Sequence, residues 1–233
     1  MTGSPAPGAP RDPVFRFRPV AEADAVAIAG WRYPPPYDLY DLDPDDWHTL
    51  LDPAAGFVVA DLLPAPTAPV AAPGGAAPGV GAGPVGFAVF GAEARVPGAE
   101  RAGLYDPADR ALDIGLGLRP DLTGRGLGPR YVGAVLAAGA DRHDPPSFRL
   151  AVARSNGRAI RAYQRVGFVP GPTFASPVRG VAVEVEFLLM TRPRTLCTTA
   201  AVSPSGEHLR ADPDPNGRPG PDGSDRQEDE RAP

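Results

Sequence analysis

Residues 111–131 read Ala-Leu-Asp-Ile-Gly-Leu-Gly-Leu-Arg-Pro-Asp-Leu-Thr-Gly-Arg-Gly-Leu-Gly-Pro-Arg-Tyr, and this stretch decides the fold. From Leu112 to Leu118, apolar residues alternate with Asp or Gly, which predicts a strand with one covered face. Pro120 ends that strand. Three glycines then precede Pro129, whose fixed φ and missing N–H suit the first turn of a helix. A strand, a glycine loop and a helix start bring backbone N–H groups together, where they can bind a phosphate group.

Two common phosphate-binding loops do not fit this stretch. A Walker loop ends in Gly-Lys-Ser/Thr, and the chain contains no lysine. A dinucleotide-binding loop requires Gly-x-Gly-x-x-Gly, but Tyr131 stands where the third glycine would follow Gly126 and Gly128. A glycine loop alone is also compatible with a simple tight turn between a strand and a helix.

A second motif follows the first. Residues 147–153, Ser-Phe-Arg-Leu-Ala-Val-Ala, predict another strand, and residues 155–168 then read Ser-Asn-Gly-Arg-Ala-Ile-Arg-Ala-Tyr-Gln-Arg-Val-Gly-Phe. Asn156 is a suitable helix N-cap. Tyr163 lies about two helical turns further on, so the helix holds the phenol at a fixed distance from its start.

The two motifs together closely resemble the signatures of the GNAT N-acetyltransferases. That family's acetyl-CoA loop, Gln/Arg-x-x-Gly-x-Gly/Ala, is matched by Gly126 and Gly128, with Thr123 in place of Gln or Arg. Its second signature, Asn-x-x-Ala-x-x-x-Tyr-x-x-x-Gly-Phe, is matched without a gap. The resemblance implies the α/β GNAT fold, a mixed and mostly antiparallel sheet of six to seven strands flanked by helices. In that fold, strands four and five splay apart and admit the cofactor's pantetheine arm.

The composition predicts one folded domain with flexible additions. The 32 prolines and 28 glycines concentrate in three stretches. We expect a disordered N-terminus at 1–13, an acetyltransferase domain at 14–192 with a flexible Pro/Gly/Ala insertion at about 63–84, and a disordered, acidic, Pro-rich tail at 193–233.

Charge and targeting signals exclude several classes of protein. The net charge of −5 argues against a nucleic-acid-binding surface. The sequence predicts neither a secretory signal nor a membrane-spanning stretch. The single cysteine lies in the tail, so no disulfide framework is predicted, and no cluster of residues has metal-ligand spacing. We expect a cytoplasmic monomer or homodimer without a metal. The absence of lysine, with abundant arginine and alanine, indicates a bacterial source.

The resemblance implies acetyl transfer from acetyl-CoA to a primary amine by direct attack, through a tetrahedral intermediate. The residues that it assigns to cofactor binding are Leu116, Leu118, Arg125, Gly126, Leu127, Gly128, Arg130 and Asn156. Tyr163 stands at the family's catalytic tyrosine, the acid that protonates the departing thiolate. For the base we predict Asp113, on the central strand, with Asp38 or Glu184 as alternatives; His48 and His143 qualify by residue type alone.

An aromatic and acidic stretch follows the first predicted helix. In this family the corresponding segment helps to wall the acceptor site, and here its side chains favour a cationic amine. The predicted acceptor-binding residues are Trp31, Tyr33, Tyr37, Asp38 and Tyr40. The alternative is an aromatic loop packed on the sheet beside solvated aspartates.

Two other functions are compatible with the same motifs. A non-catalytic acyl-CoA-binding or sensor domain would use the same loop, although Tyr163 favours an enzyme. An N-acyltransferase acting on a protein N-terminus, or using a longer acyl-CoA, is also compatible because the loop reads the cofactor's phosphates rather than its acyl group.

Overall fold

The computed structural model describes residues 14–63 and 83–194. The predicted disordered N-terminus, most of the predicted insertion and nearly all of the predicted tail lie outside those residues. The described strands are β1 (Val14–Pro19), β2 (Val58–Leu63), β3 (Gly86–Phe90), β4 (Leu112–Leu118), β5 (Ser147–Ala153), β6 (Val169–Ser176) and β7 (Val185–Pro193).

The strands form one seven-stranded sheet in the order β1-β2-β3-β4-β5-β7-β6. Among these strands β4 and β5 pair in parallel, whereas every other neighbouring pair is antiparallel. The predicted mixed, mostly antiparallel sheet is therefore confirmed. The motif strands β4 and β5 are adjacent at its centre, as the resemblance implied.

Helices cover both faces of the sheet. The described α-helices are α1 (Glu22–Ala29), α2 (Pro97–Arg101), α3 (Gly128–His143) and α4 (Gly157–Arg165). Short 3₁₀-helices lie at Asp38–Tyr40, Pro44–Leu51, Ala92–Ala94, Pro107–Asp109 and Pro120–Leu122. The segment around Trp47 and Leu50 is one of these 3₁₀-helices, entered through Pro44, and Leu50 is buried.

One face of the sheet packs against α3 and α4. The buried residues of α3, including Tyr131 and Val135, recur at helical spacing and cover Ile114 of β4 and Phe148 of β5. Each large apolar side chain buried in this way contributes about 1.5–3 kcal/mol. Because α3 follows β4 and α4 follows β5, both helices begin beside the carboxyl ends of the two central strands.

The opposite face has two smaller clusters of apolar residues. Ile28 of α1 and Leu50 pack over Val59 of β2. Ala99 of α2 packs over Phe174 and Phe187 of the β6–β7 pair. No helix within residues 14–63 and 83–194 is long and apolar enough to cross a membrane.

Candidate active site

The central strands β4 and β5 pair only at their first residues and then separate. Leu112 lies opposite Phe148 and Asp113 opposite Arg149, and the register between the two described strands ends there. Neighbouring paired strands stay about 4.8 Å apart, so the separation opens a gap inside the sheet. This gap is the splay that the resemblance implied.

Alternate residues of β4 turn their backbone N–H and C=O groups toward this gap. At the end of the β3–β4 ladder the Arg119 N–H donates to the Val85 carbonyl at 2.9 Å. Residues of an antiparallel pair alternate between bonding the partner strand and facing away from it. The β4 residues that face away from β3 are therefore Ile114, Leu116 and Leu118. Two of them are the residues predicted to contact the cofactor through their backbone.

A cavity of about 980 Å³ opens at the gap. Its wall combines β4 and β5 with the glycine loop, α4 and the segment between α1 and β2. This volume is at the upper end of the roughly 300–1,000 Å³ typical of small-molecule sites. The cavity is therefore large enough for an extended ligand.

The glycine loop forms one end of the cavity. Gly124 and Gly126 have φ values of +75° and +80°, a left-handed conformation that side chains other than glycine rarely adopt. Both line the cavity with Gly128, where α3 begins. The other loop residues that were predicted to hold the cofactor, Arg125, Leu127 and Arg130, do not contribute to the described wall.

Helix α4 places three arginines in the cavity wall. Arg158, Arg161 and Arg165 all line the cavity. Their spacing puts them on one side of the helix, a signal that the sequence analysis did not use. Asn156 caps this helix, because its side chain accepts a hydrogen bond from the Ala159 N–H at 3.1 Å. Asn156 also lines the cavity.

The phenol of Tyr163 is directed to the same cavity. Its ring packs edge-on against Phe168, with 5.9 Å between ring centroids. No described residue makes a hydrogen bond to its hydroxyl, and every fully buried polar side-chain atom of the described chain has a partner. The hydroxyl oxygen must therefore reach the cavity. Burial raises the pKa of Tyr163 above its usual value, and nearby Tyr40 and Tyr33 add to the rise. The phenol consequently keeps its proton at neutral pH.

The family model of the acetyltransferase (GNAT) domain matches residues 15–169, which is more than half of the chain. The chain belongs to the GNAT acetyltransferase family.

Solved GNAT structures share this fold. The aminoglycoside acetyltransferase AAC(6')-Ib in complex with coenzyme A has a TM-score of 0.55 at 20% identity, over 78% of this chain and 95% of that chain. A chimera of the spermidine N-acetyltransferase SpeG from Vibrio cholerae and hSSAT has a TM-score of 0.52 at 13% identity, over 77% of this chain and 95% of that chain. A GNAT-family acetyltransferase from Bacillus anthracis has a TM-score of 0.53 at 13% identity, over 77% of this chain and 94% of that chain. No curated protein sequence matches the chain. Such distant similarity establishes the GNAT fold and leaves the acceptor undefined.

The segment that follows α1 bridges the two separated strands of this GNAT domain. The Tyr33 hydroxyl donates to the Leu118 carbonyl of β4 at 2.9 Å. The Ala153 N–H of β5 donates to the Tyr40 hydroxyl oxygen at 3.1 Å. We call residues 33–40 the aromatic bridge. Burial raises the pKa of both tyrosines.

The predicted acceptor-binding residues divide into two groups. Tyr33, Tyr37 and Tyr40 line the cavity, and the Arg158 guanidinium lies 4.1 Å from the ring centroid of Tyr37. Trp31 instead packs into the core, 6.1 Å from the ring of Phe87, away from the cavity. Asp38 is exposed and also outside the cavity wall. The aromatic loop is thus partly a wall of the cavity and partly core.

The predicted base, Asp113, is enclosed in a buried ion pair. The residue is 2% exposed, and its carboxylate accepts from Arg149 Nε at 2.6 Å and from Arg95 Nε at 2.7 Å. Asp113 does not line the cavity, and both of its carboxylate oxygens accept hydrogen bonds from arginines. Its position therefore argues against the predicted role as base. The ion pair to Arg149 instead fixes the last point at which β4 and β5 pair.

The other predicted bases are also outside the cavity wall. Glu184 pairs with Arg101 at 3.0 Å on the surface. His48 packs against the ring of Trp47, and His143, at the end of α3, packs against Phe90. Among the described residues no group of His, Cys, Asp and Glu could hold a metal ion.

Four carboxylates that the sequence analysis did not assign do line the cavity: Asp41, Asp43, Asp46 and Glu93. The loop between β6 and β7 contributes Arg179, which pairs with Asp43 at 3.0 Å and also with Asp46. Asp41 accepts from the Tyr33 N–H at 2.8 Å. This end of the cavity is therefore acidic, in contrast to the arginines on α4.

Proposed function

We propose that the protein transfers an acetyl group from acetyl-CoA to a primary amine on a cationic small molecule. The observation that carries this proposal is the gap beyond Asp113, where β4 and β5 separate at a cavity walled by both family signatures. A sheet that opens at that point offers backbone hydrogen-bonding groups to an inserted ligand, and a closed sheet has none to offer.

The cofactor cleft has groups suited to each part of acetyl-CoA. The backbone N–H groups of residues 125–128 and the start of α3 favour the pyrophosphate, although Pro129 cannot donate. Arg158, Arg161 and Arg165 supply charge for the phosphates in place of the predicted Arg125 and Arg130. Asn156 and the gap-facing backbone of β4 suit the amides of the pantetheine arm. These assignments rest on the match to the family signatures and on the cavity wall.

The reaction that we propose is direct attack of the amine nitrogen on the thioester carbonyl. The Leu116 and Leu118 N–H groups face the gap, where they would stabilise the oxyanion of the tetrahedral intermediate. Tyr163 then gives its proton to the departing sulfur. Its unengaged hydroxyl and its raised pKa support this role, since the donor must still hold its proton when the thiolate leaves.

The acidic end of the cavity supports a cationic acceptor. Asp41, Asp43, Asp46 and Glu93 line it, whereas the arginines at this end are Arg179 and Arg95. Arg95 is already paired with the buried Asp113. The four carboxylates outnumber Arg179, the one arginine of the wall that pairs with them, although the Arg158 guanidinium already lies 4.1 Å from the ring centroid of Tyr37. We expect this activity in the bacterial cytoplasm, in a monomer or a homodimer.

The test is a calorimetric titration of acetyl-CoA into the full chain, followed by release of CoA thiol in the presence of a panel of amines. Spermidine, ribostamycin and trialanine represent a polyamine, an aminoglycoside and a peptide N-terminus. We expect acetyl-CoA to bind and thiol release to depend on a cationic amine. Binding without release for any amine would favour a sensor role, and no binding would refute the cofactor assignment.

A further inference from the structure

Glu93 lies directly after β3, in the Ala92–Ala94 3₁₀-helix, and lines the cavity. This short helix packs against β4, since a Cβ atom added at Gly115 would lie 3.7 Å from the Ala94 Cα. Glu93 is therefore held beside the middle of β4, where alternate backbone groups face the gap. We propose that Glu93 takes the proton from the acceptor ammonium group, an assignment that rests on the proposed acetyl transfer.

The other carboxylates of the cavity wall already have partners. Asp43 and Asp46 share the Arg179 guanidinium. Asp41 accepts a backbone hydrogen bond at 2.8 Å from Tyr33. Within the described chain, Glu93 alone among the four makes neither an ion pair nor a side-chain hydrogen bond. Its carboxylate oxygens are consequently available to an incoming ammonium group.

Arg95 is the cation nearest to Glu93 in the chain, and the fold directs it elsewhere. Its Nε donates to Asp113 at 2.7 Å, and its guanidinium lies 5.1 Å from the ring centroid of Tyr105. The strands that pack against the 3₁₀-helix are β3, which has no charged residue, and β4, which contributes only Asp113. The other charged residues of the cavity wall are Arg179 with its two aspartates, Asp41 and the three arginines of α4. The Nε of Arg95 is thus committed to Asp113, and no ion pair joins Arg95 to Glu93 in the described chain.

The proposed step moves one proton before carbon–nitrogen bond formation. Glu93 accepts a proton from R–NH3+ and later releases it to water. The neutral nitrogen bonds to the thioester carbonyl carbon, and collapse of the tetrahedral intermediate breaks the C–S bond. Tyr163 protonates the departing sulfur, and the second proton lost by the nitrogen restores the phenol through water. The products are the N-acetyl amide, the CoA thiol and one proton in solution.

The test compares Glu93→Gln with the wild type, using the amine of the panel that the wild type acetylates fastest. At neutral pH, kcat/KM for the amine should fall by roughly 10²–10⁴-fold, the usual contribution of a general base. An aliphatic amine has a pKa of about 10.4, so the free amine increases about tenfold per pH unit below that value. The ratio of wild-type kcat/KM to that of Glu93→Gln should therefore shrink about tenfold per pH unit, whereas a purely structural defect would leave this ratio constant. Glu100→Gln removes the same charge from an exposed residue outside the cavity wall and should match the wild type.

Two results would overturn the assignment. One is wild-type kcat/KM in Glu93→Gln at neutral pH, and the other is a deficit that does not change with pH. Calorimetry with acetyl-CoA should give the same affinity for both proteins, because Glu93 is not part of the cofactor cleft. A wild type that binds acetyl-CoA and acetylates no amine would instead refute the proposed function, so the two failures are distinguishable.

Discussion

Replacing Tyr163 with Phe removes one hydroxyl group and retains the ring. The hydroxyl has no hydrogen bond to any described residue, so the variant loses none of the roughly 0.5–1.5 kcal/mol that a protein hydrogen bond contributes. The contact with Phe168 also remains. We therefore expect a melting temperature within about 2 °C of the wild type.

The same change should have a large effect on the rate. General acid catalysis contributes roughly 10²–10⁴-fold. A thiol with a pKa of about 8.5 is a good leaving group, which puts the effect near the lower end of that range. We expect kcat to fall about 10²-fold, equivalent to about 2.7 kcal/mol of transition-state stabilisation. Acetyl-CoA affinity should be unchanged. Thiol release under saturating substrates measures the first quantity, and calorimetry measures the second.

Tyr131→Phe is the matched control. The Tyr131 hydroxyl is engaged within the fold, donating to the Phe87 carbonyl at 2.7 Å, and the residue is 1% exposed. Its removal loses one hydrogen bond to a carbonyl that also belongs to the β3–β4 ladder, at a cost of about 0.5–1.5 kcal/mol in the free energy of unfolding. Stability should fall while kcat changes much less. An unchanged kcat in Tyr163→Phe, or equal losses of kcat in both variants, would refute the assignment of Tyr163 as the acid.

Three further predictions concern the loop, the ion pair and the buried tyrosines. Gly126→Val should weaken acetyl-CoA binding at least tenfold, since valine disfavours a φ of +80°. Circular dichroism should still show a folded protein, because no atom lies within 4 Å of the added Cβ. Undiminished affinity would exclude this loop from the cofactor site. Asp113→Asn should lower the free energy of unfolding by about 3–5 kcal/mol in urea, because it removes the buried partner of Arg149 and leaves only the exposed Asp109, at 3.2 Å, to pair with it; a loss below about 1 kcal/mol would mean that the buried ion pair does not hold β4 and β5 together where they separate. The raised pKa values of the four tyrosines at the cavity mean that the folded state retains protons that the unfolded chain loses above pH about 10. Stability is therefore fully present below that pH and should fall as pH rises beyond it, so equal urea midpoints at pH 9 and 11 would contradict the burial of these phenols.

Local sequence patterns predicted the elements that carry the motifs. The alternation in residues 112–118 and the β-rich run at 147–153 coincide with β4 and β5. By contrast, β6 begins Val-Pro-Gly-Pro, a sequence that indicates a turn, and the sheet tolerates its prolines because β6 is an edge strand. The alternating apolar pattern of the last strand starts at Val181, whereas β7 begins at Val185, since Gly180 has a φ of +77° and forms a turn.

The candidate site was predictable where the function depends on residues close together in the sequence. Gly126, Asn156 and Tyr163 were named from local motifs, and all three line the cavity. The ion pairs of Asp113 were not predictable, because its partners lie 18 and 36 residues away in the chain. An alternating strand pattern shows that Asp113 is on a different face from its neighbours without showing what covers that face.

The aromatic bridge means that the proposed acceptor wall cannot be exchanged independently of the gap between β4 and β5. Tyr33 and Tyr40 each bond a backbone group on a different side of the cofactor gap. A graft of residues 33–40 from a relative would therefore change the width of the gap as well as the choice of acceptor, and lost activity in such a chimera would have two causes. Tyr37, between them, has a hydroxyl that bonds no described residue. A change at Tyr37 would therefore leave both bonds across the gap intact, and would act instead through the Arg158 guanidinium, 4.1 Å from the Tyr37 ring centroid.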